Sequence, residues 1–187
     1  STVRSDAMTR YMESRGVGQN RQEEVPFKCF VTGNSSLPRS LLVKAGCFDE
    51  NFTAYGGEDL ELGFRLNSLG AKFFAVEKAI SFHGHVRTLQ DTCNLMYTYG
   101  HCSVPVLLSK HPELKKLLRL DFLEDQPVSL KRCFFQFALS PKVYKIIEKL
   151  VILGLKRRIP AIFFDYLWWF NRTRGLLDAE QTQKKIA

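Results

Sequence analysis

The sequence predicts an α/β unit of short strands around one central helix, followed by a helical C-terminal region. Three observations predict it. Apolar runs of strand length at 27–31, 72–76 and 79–82 surround one strongly periodic helical stretch at 58–69. After Arg87 the texture changes to longer segments with helical spacing, several of them opened by prolines. The 187 residues are enough for one domain of usual size, or one with an appendage. The expected division is a polar tail or loop over 1–25, the α/β part over 26–87 and the helical region over 88–187.

Residues 1–25 are polar and lack periodicity, apart from a short helix around 8–14. Pro26 opens Phe27-Lys28-Cys29-Phe30-Val31, an expected strand. It runs into Thr32-Gly33-Asn34-Ser35-Ser36, a small polar turn that would offer backbone N–H groups and hydroxyls to a ligand. Pro38 with Leu41, Leu42 and Ala45 suggests a short helix stopped at Gly46. An acidic turn follows between Phe48 and Phe52, in which Asp49 and Glu50 are ligand candidates by residue type only.

Gly56 and Gly57 permit a tight, left-handed bend that a side chain would obstruct. Past them Leu62, Leu66 and Leu69 fall at i, i+4, i+7 as an apolar stripe, and Gly70 is placed to cap the end. Glu58 and Asp59 therefore sit at the positive end of the helix dipole, which favours their ionised form. Capping and catalysis are both open on this stretch alone. Glu61 and Arg65 are expected to make a surface pair worth about a few tenths of a kcal/mol. Gly63, one turn above Asp59, is expected to leave room beside the carboxylate for a bulky polar ligand.

The strands at 72–76 and 79–82 lead to His83-Gly84-His85, whose alternate spacing would point both rings to one face of a strand. A neutral imidazole can ligate a divalent ion, but no other ligand set is visible, so a structural role stays open beside ligation. The expected helices then run over 89–108, interrupted near Gly100 or Pro105, and over 112–120, 127–139 and 141–155. A last apolar segment at 159–170 ends in polar residues 171–187.

The formal net charge of +8 arises entirely from 131–187, which hold 12 basic and 4 acidic residues, while 1–130 hold 15 of each. The positive charge thus belongs to the tail and not to the region of the carboxylate pair. Five cysteines, an odd number without a CxxC pair, argue against a disulfide framework and a zinc knuckle and favour a reducing compartment. No secretory leader pattern opens the sequence, and no uninterrupted apolar run reaches spanning length. The segment 156–174 combines Lys156-Arg157-Arg158, an apolar run with Trp168 and Trp169, and then Arg172 and Arg174. That composition suits either a helix in a membrane interface or an ordinary core helix. It does not suit nucleic acid, because the aromatics are not interleaved with the basic residues.

Four elements occur in order: Phe30-Val31-Thr32-Gly33-Asn34-Ser35-Ser36, Ala45-Gly46-Cys47-Phe48-Asp49-Glu50-Asn51-Phe52, Tyr55-Gly56-Gly57-Glu58-Asp59-Leu60-Glu61-Leu62-Gly63-Phe64-Arg65-Leu66 and Phe82-His83-Gly84-His85. Together they resemble the C-terminal half of a family 2 glycosyltransferase of GT-A fold. They are similar as well to the C-terminal module of galactosyl- and N-acetylgalactosaminyltransferases. The resemblance covers about 26–87. It implies an inverting transfer from a nucleotide-diphosphate sugar, assisted by a divalent metal (Mn or Mg). Asp59 is then the general base on the acceptor hydroxyl, and Glu58 holds sugar hydroxyls. Gly33, Asn34, Gly56, Gly57 and Arg65 are implied in substrate binding, and His83 or His85 in metal ligation. The Asp-x-Asp motif and Gly-rich loop of the donor half do not occur here, so the resemblance implies an acceptor-side half whose donor-binding half is missing from this chain. Synthesis of a surface polysaccharide or glycoconjugate at the cytoplasmic face of a membrane is the expected setting. A non-catalytic interaction or membrane-peripheral module is the alternative.

Overall fold

The computed structural model describes residues 7–14, 24–81, 87–123, 130–156 and 158–186. Its architecture is mixed but dominated by helices, with one two-stranded sheet among the described residues. Strand β1 (Glu24–Val25) pairs antiparallel with β2 (Phe73–Phe74), Glu24 opposite Phe74 and Val25 opposite Phe73. Helix α1 is Ala7–Ser14, α2 Arg39–Lys44, α3 Glu58–Ser68, α4 Leu89–Thr98, α5 Val104–Lys110 and α6 Leu114–Leu117. The chain closes with α7 (Leu130–Ala138), α8 (Pro141–Gly154) and α9 (Ala161–Ile186).

The α/β expectation is corrected in its strand content. Residues 27–29 form a single 3₁₀ turn after Pro26 instead of a strand. The reason is tertiary: Phe27 lies over α3, ring to ring with Phe64 at 5.7 Å, and its carbonyl occupies the space beside Gly63. The pairing falls instead on the two residues before Pro26. The 72–76 run contributes only Phe73 and Phe74, and 79–81 is not a strand.

Helix α4 starts with a capping box. The Thr88 hydroxyl accepts from the Asp91 N–H, and the Asp91 carboxylate accepts from the Thr88 N–H. The expected break near Gly100 is a π-helical turn over Tyr99–Ser103, after which α5 continues with Pro105 in its first turn, where no N–H is needed.

Helix α9 is far longer than the apolar run predicts, because it continues through the polar end. Thr173, Gly175, Leu176 and Ala179 are buried in that extension. They cross the π turn and α4 so closely that a Cβ on Gly100 would lie 1.9 Å from the Arg172 carbonyl oxygen. A Cβ on Gly175 would lie 2.2 Å from that of Tyr97.

Among the described residues, three apolar clusters hold the molecule together. The first joins α1, α4, α8 and α9 through Met8, Tyr11, Cys93, Val151, Phe164 and Leu167. So 7–14 is not tail but part of the helical core, tied further by the Tyr11 hydroxyl donating to Asp165 at 2.7 Å. The second joins α5, α6 and α9 through Leu107, Leu114, Leu120 and Leu176, with Phe27, Phe52 and Phe64 against it. The third places Leu62 and Leu66 of α3 against Phe30 and α2. Trp168 and Trp169 are half-buried in aromatic contacts with Tyr11 and Phe164, and with Phe122 and Phe135, so the core reading of 159–170 describes this helix.

Candidate active site

The bend before α3 forms as the two glycines require. Gly56 and Gly57 have φ of +82° and +99°, and Gly57 is the N-cap. There is also no room for side chains. A Cβ on Gly57 would stand 2.8 Å from the Phe52 ring, and one on Gly56 would stand 3.1 Å from the Tyr99 ring. The π turn is thus packed directly on the bend, and the Ser103 hydroxyl donates to the Tyr55 carbonyl at 3.1 Å. Glu58, Asp59 and Glu61 fill the first turn of α3, where the dipole favours carboxylates.

The side chains of that turn have separate surroundings. Asp59 Oδ1 accepts from the Thr32 hydroxyl at 2.7 Å and from the Thr32 N–H at 3.3 Å, while Oδ2 has no partner among the described residues. The clasp brings the polar turn 32–36 to the start of α3, 27 residues away. Glu58 Oε2 is buried and lacks a hydrogen-bond partner among the described residues. A carboxylate oxygen in that condition is costly unless a ligand supplies the donor.

Gly33 stands in the open, since a Cβ there would meet nothing within 4 Å. The Asn34 amide donates to the Ala79 carbonyl at 2.8 Å, and Arg87 donates to the Tyr55 hydroxyl at 3.3 Å. Both flanks of 82–86 are therefore fastened beside the turn and the glycine bend. His83 and His85 themselves lie outside the described residues. Among the described residues, no group of three or more His, Cys, Asp and Glu side chains is arranged to hold a metal ion. His101 and His111 are engaged elsewhere, with the Gly175 carbonyl at 3.2 Å and with Glu61 at 3.0 Å.

Two expectations about α3 are corrected. Glu61 and Arg65 are no surface pair: Glu61 is 2% exposed and anchors a polar node. Arg65 grips it through Nε at 2.7 Å and Nη2 at 2.6 Å, and also donates to the carbonyls of Ala45 and Cys47. His111 Nε2 donates to Glu61 from the other side at 3.0 Å. Burial pushes the Glu61 carboxyl up, but the Arg65 and His111 hydrogen bonds outweigh it and hold it below its ordinary range. Arg65 thus spends its guanidinium on scaffolding, tying α3 to the turn after α2. The space beside Gly63 is likewise taken, because a Cβ there would lie 2.9 Å from the Phe27 carbonyl oxygen. That glycine serves close packing rather than ligand access.

An open cleft of about 460 Å³ lies along this node, lined by Phe48, Asp49, Asn51, Glu61, Arg65 and Lys110 among others. Asp59 and Glu58 do not line it. Asp49 is paired with Lys110, which holds its carboxyl down at about 2, with the Asn51 N–H helping. Sequence reasoning missed Thr32 as the partner of Asp59. Its only signal was a hydroxyl just before Gly33-Asn34, in the turn already marked for ligand contact.

Residues 17–89 match a family model described as the N-terminal domain of galactosyltransferase. The chain is 47% identical over 58 residues to the chondroitin synthase of Escherichia coli, covering 31% of this chain and 8% of that protein. It is 38% identical over 63 residues to the hyaluronan synthase of Pasteurella multocida, covering 34% of this chain and 6% of that protein. It is 50% identical over 46 residues to the validoxylamine A glucosyltransferase of Streptomyces hygroscopicus subsp. jinggangensis, covering 25% of this chain and 11% of that protein. Each match thus spans a small fraction of its relative's length. No solved structure matches the chain. The matches support a glycosyltransferase-family domain over this part of the chain, the part that holds the Thr32–Asp59 clasp and the glycine bend.

Proposed function

We propose that the region around α3 is the acceptor-side half of an inverting glycosyltransferase that uses a nucleotide-diphosphate sugar, with Asp59 as general base. The observation that carries this reading is the asymmetric hold on Asp59. Thr32 fixes Oδ1, and Oδ2 has no partner among the described residues at the positive end of α3. A carboxylate fixed by one oxygen keeps the other aimed and ready to accept a proton.

In the proposed step an acceptor hydroxyl gives its proton to Asp59 Oδ2 as its oxygen bonds to the anomeric carbon. The bond from that carbon to the diphosphate breaks, and the electron pair leaves with the diphosphate. Attack from the side opposite the leaving group inverts the anomeric configuration. Glu58 would take the hydroxyl donor that its buried oxygen lacks among the described residues, and Gly33, Asn34, Gly56 and Gly57 would shape the floor beneath the sugars. His83 or His85 would hold a divalent metal (Mn or Mg), which would supply positive charge to the departing diphosphate. The names of the two synthase relatives support polysaccharide or glycoconjugate synthesis, and the cytoplasmic side of a membrane is the setting we propose for it.

The test is sugar transfer by the native protein from a panel of nucleotide sugars, with and without EDTA. Asp59→Asn keeps shape and hydrogen bonding but removes the base, and should lower kcat by about 10²-fold to 10⁴-fold with KM little changed. Normal rates in that variant would remove Asp59 as the base, whereas no transfer by the native protein from any donor would favour the non-catalytic module. Rates indifferent to EDTA would remove the metal from the proposal.

A further inference from the structure

Two consecutive helices carry apolar stripes that face solvent. On α7, Leu130, Phe134 and Phe137 recur at i, i+4, i+7 and are 91%, 64% and 67% exposed. On α8, Ile146, Leu150 and Leu153 repeat that spacing at 62%, 54% and 71% exposed. Single exposed apolar side chains are ordinary on a protein surface, but paired stripes at helical spacing are the pattern of a face that docks. The stripes are not what holds the helices in place. Helix α8 is seated by the opposite set, with Val151 fully buried and Tyr144 and Ile147 packed against the α9 cluster.

Charge identifies the occupant. Residues 130–158 hold eight basic residues and one acid, Glu148, which supplies nearly all of the net +8 of the chain. Lys142, Lys145 and Lys149 are exposed, and Lys145 and Lys149 directly precede Ile146 and Leu150 of the stripe. A second copy of this chain would set like charge against like charge. A bilayer with anionic headgroups supplies the opposite sign to the lysines and an apolar layer to the stripes. No helix among the described residues is long and apolar enough to cross a membrane.

We propose that the α7–α8 pair is a docking site for an anionic lipid bilayer, with the stripes in the headgroup–acyl boundary and the lysines on lipid phosphates. This moves the membrane contact from 156–174, whose aromatics are spent in the core, to the pair of helices before it. It is independent of the chemistry proposed for Asp59.

The experiment is flotation of the 187-residue chain with vesicles of phosphatidylcholine alone or with about 30% phosphatidylglycerol. Two variants are compared, Phe134→Ser/Phe137→Ser/Leu150→Ser/Leu153→Ser and Lys142→Glu/Lys145→Glu/Lys149→Glu, with circular dichroism as the check on folding. The wild type should float with the anionic vesicles, and each variant should show binding weaker by about tenfold or more. The lysine variant changes only exposed side chains and carries the test alone if the serine variant does not fold. Equal flotation of wild type and lysine variant overturns the proposal, as does equal wild-type binding to neutral and anionic vesicles. A wild type that fails to float but self-associates through the stripes, losing that association in the serine variant, assigns the face to a second copy and overturns it as well.

Discussion

Asp59 and Glu61 are two residues apart on one helix, yet they have opposite fates. Asp59 keeps an oxygen without a partner among the described residues, while both oxygens of Glu61 are bound by Arg65 or His111. The difference is rotational: about 200° separates i from i+2 on a helix, so one side chain faces the Thr32 turn and the other the interior. The Glu61 carboxyl sits below its ordinary value of 4.5, so it binds its proton less readily folded than unfolded. Its contribution to stability is therefore full above that value and fades as pH falls through the depressed one. Urea unfolding between pH 7 and pH 3 should show the wild type losing stability in acid, with a shallower loss in Glu61→Gln. Glu61→Ala should cost about 3 kcal/mol at neutral pH, because it strands Arg65 beside a buried void. An unchanged acid profile in Glu61→Gln would place the acid sensitivity elsewhere.

At the scale of elements, the crossing of α9 over the π turn carries the sharpest expectation. Gly100 and Gly175 each face a backbone carbonyl at a distance no Cβ tolerates. Neither has a positive φ, so the requirement is close approach rather than backbone conformation. Gly100→Ala should destabilise by about 3 kcal/mol or more in chemical denaturation, and Gly175→Ala by a similar amount. Gly70→Ala, where a Cβ meets nothing within 4 Å but φ is +82°, should cost only about 1 kcal/mol. If the three variants were equally stable, α9 would not seat on the π turn as described. The crossing reaches the candidate site, because Tyr99 and Ser103 of that turn press on Gly56 and Gly57. Movement there would loosen the bend that presents Asp59.

Over the whole molecule, burial sorts the five cysteines. Cys47, Cys102 and Cys133 are exposed, Cys29 is half-buried, and Cys93 lies in the cluster between α1, α8 and α9. Burial pushes the Cys93 thiol up to about 11, a shift that the nearby Tyr144 hydroxyl opposes. Thiolate is the reactive form, so at pH 8 the three exposed thiols should react with a disulfide reagent within minutes. Cys93 should react only after denaturant is added. Fast labelling of Cys93 in the native state would mean that α1 does not cover this cluster.

Much of this protein is legible in residue order. The glycine bend, the α3 stripe of Leu62 and Leu66, the short α2 and the proline-opened α8 all follow from local rules of backbone freedom and helical period. So does the placing of Glu58 and Asp59 in a first turn, because such effects act within a few residues. What residue order could not supply is which surfaces meet. Phe27–Cys29 has the composition of a strand but turns instead, because Gly63 lets its backbone seat on α3. Residues 171–186 read as a polar end, yet continue α9 because small residues at 100 and 175 allow two backbones to touch. Glu61 and Arg65 read as a solvated pair until His111, 46 residues beyond Arg65, closes over them. Local sequence sets the backbone of each piece. The long-range contacts, in which burial and desolvation outweigh local propensity, decide which polar groups are spent on structure and which remain open to a ligand.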